Sequence, residues 1–528
     1  MVTRALSVLI LVITLAAAVH GQGSDPGFLK RNFSPVTYLK ASNPRADAKL
    51  GFGSALTGRT LVMSRDGNTL AVSAPDESSA ATGVNGNQKD DTASGAGAVY
   101  VFTRAGGKWT QQAYVKASNT DAYDSFGFSL AISANGNTLA VTATREDSNA
   151  RGINGNQANN DAEDSGAVYV FARAGGTWMQ QAYVKSSNSD AGDQFGWAVT
   201  LSDDGNVMVV GAPTEQSNAR GVNGNHADNS SANAGAAYVF TRSGSTWSQQ
   251  AYLKGAQTDP GDLFGFAVDL SADGATLAIS GYDEDGGVAG VDGNEADNSQ
   301  NGSGCAYIFV RDPSTSLGAS GAGWKQTTYL KQSNLNHNQD AFGAAIALSG
   351  DGKTLVVDAP DEDGEVGGIN GKQYDGKQIG DNSNGAIYVF VNTNGTWSQQ
   401  AYIKSSNVRV NDLFGIRLAI STNGNTFVAS SMLQSGGGRG PNASQQDFSA
   451  EESGAVYVFT RTGTTWTQRA YLKAPNSDAY DEFGSGVALS GDGNTLAIAA
   501  FGEDGGSSGA GGNMADNSVR ASGAVYVY

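Results

Sequence analysis

Cysteine is almost absent from this chain: Cys305 is the single one among 528 residues, so no disulfide can staple the fold from within. Histidine is nearly as scarce, with three residues. Two remain beyond the apolar leader, His226 and His337, in non-equivalent places and outside any nucleophile or zinc motif. No hydrophobic run after the leader is long enough to cross a membrane as a helix. Positive charge is also in deficit, with 33 Lys and Arg against 51 Asp and Glu and a formal charge of −18. A surface this acidic repels nucleic acid and anionic lipid. No Arg-Gly-Asp sequence is present.

What the chain has in abundance is glycine, 72 residues, and much of it is periodic. A turn of the form Ser-x-[Asp/Asn]-Gly recurs with its glycine at Gly67, Gly136, Gly205, Gly274, Gly352, Gly424 and Gly493, at intervals of 69, 69, 69, 78, 72 and 69 residues. A period of this size marks an array of one supersecondary unit that needs neighbours to bury its faces.

The unit reads most clearly between Phe126 and Lys185. A β-prone run from Phe126 to Ser133 leads into the tight turn Ala134-Asn135-Gly136-Asn137, and Thr138 to Ala143 returns. A loop rich in Gly, Asn and Asp follows. Then come Gly166 to Phe171, a turn at Arg173 to Gly176, and Trp178 to Lys185. Val168 and Val170 face one side, Tyr169 and Phe171 the other, so both faces are apolar, as in sheets sandwiched between sheets. Four-stranded sheets stacked around an axis are propeller blades.

The fourth-strand pattern Tyr-[Leu/Val/Ile]-Lys first occurs at Tyr38-Leu39-Lys40, ahead of any first strand, and the third-strand pattern recurs last at Gly523 to Tyr528 with no fourth strand after it. The two pieces complete each other and remove both open edges. The expected fold is therefore all-β: seven blades of four antiparallel strands over residues 33–528, the ring closed by the N-terminal strand completing the last blade. Six fourth strands carry a Trp five residues before the Tyr (Trp109, Trp178, Trp247, Trp324, Trp397, Trp466), where the first has Phe33.

Phe195-Gly196 followed by Gly211-Ala212-Pro213 resembles the FG-GAP repeat, the unit of the seven-bladed propeller at the head of integrin α subunits. Phe-Gly recurs at Phe126, Phe264, Phe342, Phe414 and Phe483; in the first unit both Phe52-Gly53 and Thr57-Gly58 could take its place. The resemblance implies an extracellular recognition or adhesion scaffold. It does not carry over that family's calcium residues, because the connection that would hold them is here only a tight turn such as Ser202 to Asn206, too short to wrap an ion needing six to eight oxygens.

The loop between second and third strands is the candidate site. Its copies share a glutamate (Glu77, Glu146, Glu215, Glu284, Glu362, Glu503, with Gln434 in one copy), then in most copies Gly-x-[Asn/Asp]-Gly-Asn and an Asp/Asn pair. The densest copy offers Asp283, Glu284, Asp285, Asp292, Asn294 and Asp297, hard oxygens suited to calcium; Asn, Asp and Gly at such spacings also simply make turns. An aspartate stands two residues before each later Phe-Gly (Asp124, Asp193, Asp262, Asp340, Asp412, Asp481), placed to hydrogen-bond the turn that feeds the inner strand. The lysine column from Lys40 to Lys473 is expected to pack its stems and send its amines to water. Cys305 takes the place of Ala167 and Ala455 in sister units, a small buried role.

Residues 1–21 read as a signal peptide, with Arg4 ahead of an apolar stretch from Ala5 to Val19, and residues 22–32 as a short N-terminal segment. No catalytic motif is present. The composition and the resemblance together imply a secreted or cell-surface protein whose propeller-face loops bind an extracellular protein or glycan, with neither nucleic acid nor membrane as partner once the signal is removed. A self-assembling matrix protein and a secreted polysaccharide-acting enzyme are the two alternatives.

Overall fold

The structure, a computed structural model, describes residue 33 and residues 36–52, 58–312, 323–335, 339–373 and 383–528. The leader, the segment 22–32 and His337 lie outside the described residues.

Seven sheets form the ring, each with four antiparallel blade strands from the axis outward; six follow chain order, the seventh takes the N-terminal strand as its fourth, and two carry a further two-residue strand. In the second blade these are Leu130–Ile132, Thr138–Ala143, Ala167–Ala174 and Thr177–Val184. The first strand is shorter than the sequence suggests, because Phe126-Gly127-Phe128 is turn and Gly127 has φ 99°. That left-handed backbone lets the chain pass the preceding blade, where a Cβ on Gly127 would lie 2.9 Å from Ser73 Cβ. In the fourth and seventh blades the strand does reach the Phe-Gly pair, as Phe264–Leu270 and Phe483–Leu489.

The alternation on the third strand does what its pattern predicts. Tyr169 and Phe171 join the core between the first and second blades, whereas Val168 and Val170 join the core between the second and third. Each blade is thus cemented on both faces.

Closure at the seventh blade is as expected. Thr37–Lys40 lies beside Ala524–Val527 with Thr37 opposite Val527, Tyr38 opposite Tyr526 and Leu39 opposite Val525. The first unit's Phe-Gly position is filled by neither sequence candidate. Leu50-Gly51 takes it: Leu50 N bonds Ser522 O and Gly51 N bonds Ser73 O, as Phe126 N bonds Ala96 O and Gly127 N bonds Thr142 O one blade on.

Around the axis the Ser-x-[Asp/Asn]-Gly turns are tied blade to blade. Arg65 N bonds Ala134 O, Ala134 N bonds Asp203 O, Asp203 N bonds Ala272 O and Ala272 N bonds Gly350 O; Asp351 N to Thr422 O, Thr422 N to Gly491 O and Gly491 N to Arg65 O complete a circuit, all between 2.9 and 3.1 Å. Within each turn the serine hydroxyl donates to the side-chain Oδ1 of the Asp or Asn, as Ser202 does to Asp204 at 2.6 Å. The recurrent tetrapeptide therefore shapes a hairpin and closes an annulus at once.

Candidate functional site

The loop glutamates do not face solvent. Each of the six is buried and meets the fourth-strand lysine of its own blade: Lys40–Glu503 at 2.9 Å, Lys116–Glu77 at 3.1 Å, Lys185–Glu146 at 2.9 Å, Lys254–Glu215 at 3.1 Å, Lys331–Glu284 at 2.8 Å and Lys404–Glu362 at 2.6 Å. All seven lysines, Lys473 included, have no exposed surface, which overturns the expectation that their amines reach water. Strand parity alone cannot reveal a carboxylate brought in by a loop.

The glutamate also accepts from elsewhere. Tyr252 OH reaches Glu215 at 3.0 Å, and Asn188 Nδ2 reaches it at 3.0 Å. Asn188 lies just ahead of the turn into the third blade and its Oδ1 receives Tyr238 OH at 2.8 Å. The same Asn link joins Asn119 to Glu146, Asn334 to Glu362 and Asn476 to Glu503. Lys, Glu, two Tyr and one Asn form a satisfied buried network that fastens the loop to its own blade and to the incoming chain. The asparagines escaped the sequence reading although Ser-Asn or Pro-Asn recurs two residues after the lysine.

The Gly-x-[Asn/Asp]-Gly part of the loop has a second task. Val84, Ile153, Val222, Val291 and Pro441 each bridge to the fourth strand, and Gly368–Ile369 and Gly509–Ala510 form two-residue strands there. The following Asn or Asp accepts the tyrosine N–H: Asn154 from Tyr183 at 3.0 Å, Asp292 from Tyr329 at 3.0 Å. The loops thus fold back over the outer edge of the blade, which would otherwise be an open template for another strand.

Against this frame the six candidate calcium ligands separate. Glu284 is held by Lys331 and Tyr329. Asp285 accepts from Gly302 N at 2.8 Å, Asp292 from Tyr329 N, Asn294 from Ala296 N at 3.3 Å and Asp297 from Ser299 N at 3.0 Å. Asp283 is exposed, with its carboxyl held up by partial burial and by Asp285. The structure does not bring the six to one point, and among the described residues no three of His, Cys, Asp and Glu are grouped to hold a metal ion.

Four of the six aspartates before Phe-Gly cap their turns, Asp193 accepting from Asp190 N at 3.0 Å and Asp481 from Asp478 N at 2.8 Å, whereas Asp340 accepts from Gln332 Nε2. Burial pushes Asp124, Asp193, Asp262 and Asp481 up to about 7. Cys305 is fully buried, its thiol pushed up by burial. His226 lends its backbone carbonyl to Asn188 and packs its ring on Tyr252.

The axis is braced. Arg59 of the first blade reaches Asp269 of the fourth at 2.8 Å and the Ile346 carbonyl of the fifth, and Asp269 also receives Thr200 and the Leu348 N–H. Arg65 joins Asp203 and Thr422. Two cavities of about 60 and 160 Å³ lie along the axis, both lined by Arg59.

The outlying feature is on the loop face. Tyr123 and Tyr480 are 64% and 53% exposed, and both sit on left-handed backbone, φ 71° and 67°. Two sister turns place Gly192 and Gly261 there, and two others place Gln339 and Asn411, also on left-handed backbone. The N–H groups of the two tyrosines bond Ser94 O and Glu451 O of the preceding blade's long loop, so both rings stand among those loops.

The model of the FG-GAP repeat matches residues 109–171, 178–240 and 466–528. The chain is a seven-bladed propeller in which these three stretches are FG-GAP repeats. No curated protein matches it. Among solved structures it is similar to the β-propeller domain of Cps50 (Swd1) from Myceliophteria thermophila, at 10% identity over 84% of this chain and 92% of that one, TM-score 0.42. The periplasmic gluconolactonase PpgL of Pseudomonas aeruginosa matches at 13% identity over 80% and 86%, TM-score 0.41. The RRP9 WD40 repeats match at 9% identity over 93% and 99%, TM-score 0.45. The FG-GAP propeller fold suggests a protein-interaction scaffold.

Proposed function

We propose that this FG-GAP propeller is a secreted or cell-surface recognition scaffold that binds an extracellular protein or glycan through its loop face, without catalysing a reaction. The observation behind this reading is the pair Tyr123 and Tyr480. An exposed aromatic on left-handed backbone costs about 1 kcal/mol that glycine avoids; two sister turns use glycine there and two use the polar Gln339 and Asn411, so only these two turns hold an exposed ring. A strained residue kept in solvent is explained by what its ring meets in a complex, since tyrosine supplies a large, rigid contact surface at low entropic cost.

The repeated charged residues speak for a scaffold as well. Glu, Lys and Asp that look chemical in the sequence are used up in fastening blades, whereas the loop face keeps exposed carboxylates and aromatic rings for contact. Capture of the whole protein on an array of matrix proteins and glycans tests the reading. A specific, saturable hit supports it, and turnover of a polysaccharide in place of stable capture would favour the enzymatic alternative.

A further inference from the structure

The seam between the sixth and seventh blades lacks what fills its sisters. Between the fifth and sixth blades, the Trp466 indole packs against Phe427 at 5.0 Å and donates from Nε1 to Gln400 at 2.9 Å. Arg461 covers the indole at 5.1 Å and reaches Thr354 Oγ1 at 3.1 Å. The same lock recurs with Trp178 on Gln112 under Arg173, and Trp247 on Gln181 under Arg242.

At the sixth seam the lock is reduced. Phe33 replaces the tryptophan, and Leu496 stands where the sister blades have Leu139, Met208 or Phe427. Arg469 stands in the glutamine position and is turned onto Thr460 Oγ1 at 2.7 Å. Thr426, the counterpart of Thr354, has no arginine partner among the described residues. What remains is a cavity of about 110 Å³ with a mainly apolar wall, bounded by Phe33, Val428, Val458, Leu489 and Leu496, with Asp492 at its rim. Beside it the Tyr528 ring meets Phe33 edge-on at 5.9 Å, and the tyrosine hydroxyl is buried without a protein hydrogen-bond partner.

We propose that this cavity binds a small planar aromatic molecule, of phenol to indole size. The sister seams show that this region accommodates a large aromatic ring, because there an indole occupies the place that the smaller Phe33 ring fills only in part. The hole is partly open, with Thr426, Thr460, Asp492 and Asn494 beside its apolar wall, and a mainly apolar space of this order accepts an aromatic ring, as an engineered cavity of about 150 Å³ takes up benzene. Phe33 leaves the space and also supplies one ring face.

The proposal is independent of the loop-face reading and has its own test. Indole is titrated into the full chain and followed by calorimetry and ligand-observed NMR. One saturable site is expected, weakened at least about tenfold by Phe33→Trp, which restores the sister residue, with a higher melting temperature in that variant. Leu496→Phe copies Phe427 and fills the hole from the opposite wall, so it serves the same purpose if Phe33→Trp does not fold. Absence of saturable indole binding, or binding of unchanged affinity in the folded variants, overturns the proposal.

Discussion

Lys473 Nζ lies 3.3 Å from the amide oxygen of Gln434, in the one blade where the loop residue is not a glutamate. Its other partner is Ser453 Oγ at 2.6 Å, and two polar atoms nearby, Asn407 Nδ2 and Asp412 Oδ2, are buried without partners. Burial drives this lysine down to about 7, with Asp412, Asp481 and Asp447 opposing the shift. The chain thus contains six buried lysine–glutamate pairs and one natural replacement of the carboxylate by an amide.

Gln434→Glu should restore the seventh network. Between about 7 and the ordinary lysine value, the unfolded chain holds more protons than the folded one, so the native protein gains stability as pH rises through that window. The variant abolishes that slope. It should be more stable by about 1–3 kcal/mol near pH 7, with the advantage shrinking toward pH 10, as read from denaturant unfolding at several pH values.

The buried aspartates work in the opposite direction. Their folded values near 7 lie above the ordinary carboxylate value of about 4, so each contributes stability that is fully present below about pH 4 and is lost progressively as pH rises from there to about 7. Asp193→Asn keeps an acceptor for the Asp190 N–H and cannot ionise. It should match the parent near pH 4 and exceed it by about 1–3 kcal/mol near pH 8; melting curves at the two pH values check this.

Much of this was readable in advance, and what was not has a physical reason. The period, the two apolar faces of Val168-Tyr169-Val170-Phe171 and the complementary ends are local patterns, and they predicted blades, stacking and closure. The lysine column was misread because Lys116 and Glu77 are 39 residues apart in the chain, and only the loop's return over the blade edge makes them neighbours. Leu50-Gly51 was passed over because leucine fills the place of phenylalanine there, while a better motif, Phe52-Gly53, follows at once. The loop oxygens invited a metal reading because turn-forming Asn and Asp offer the same atoms as cation ligands; their hydrogen bonds to backbone N–H groups decide what they do in the fold.

Closure by the N-terminal strand has a direct consequence. Removing residues 22–43 deletes the strand Thr37–Lys40 together with the Lys40–Glu503 pair, exposing the edge of Ala524–Val527. The truncated chain should lose cooperative unfolding or aggregate. An unchanged melting temperature contradicts closure.

The loop aspartates give a further expectation. Because Asp285, Asp292 and Asp297 are already engaged as acceptors and do not converge, melting should be the same in millimolar calcium and in chelator. A site would instead raise stability by RT ln(1 + [L]/Kd), about 2.7 kcal/mol at a hundredfold excess, and that increment should vanish in Asp292→Ala with Asp297→Ala.

The central claim is that a rigid ring, fastened by its buried charges, presents a binding surface at its loop face. Its most direct test is the double variant Tyr123→Gly with Tyr480→Gly, which copies Gly192 and Gly261. Capture by the ligand found on the array is measured alongside thermal unfolding. The account predicts stability within about 1 kcal/mol of the parent and capture weakened at least about tenfold. Full capture by the double variant would contradict it.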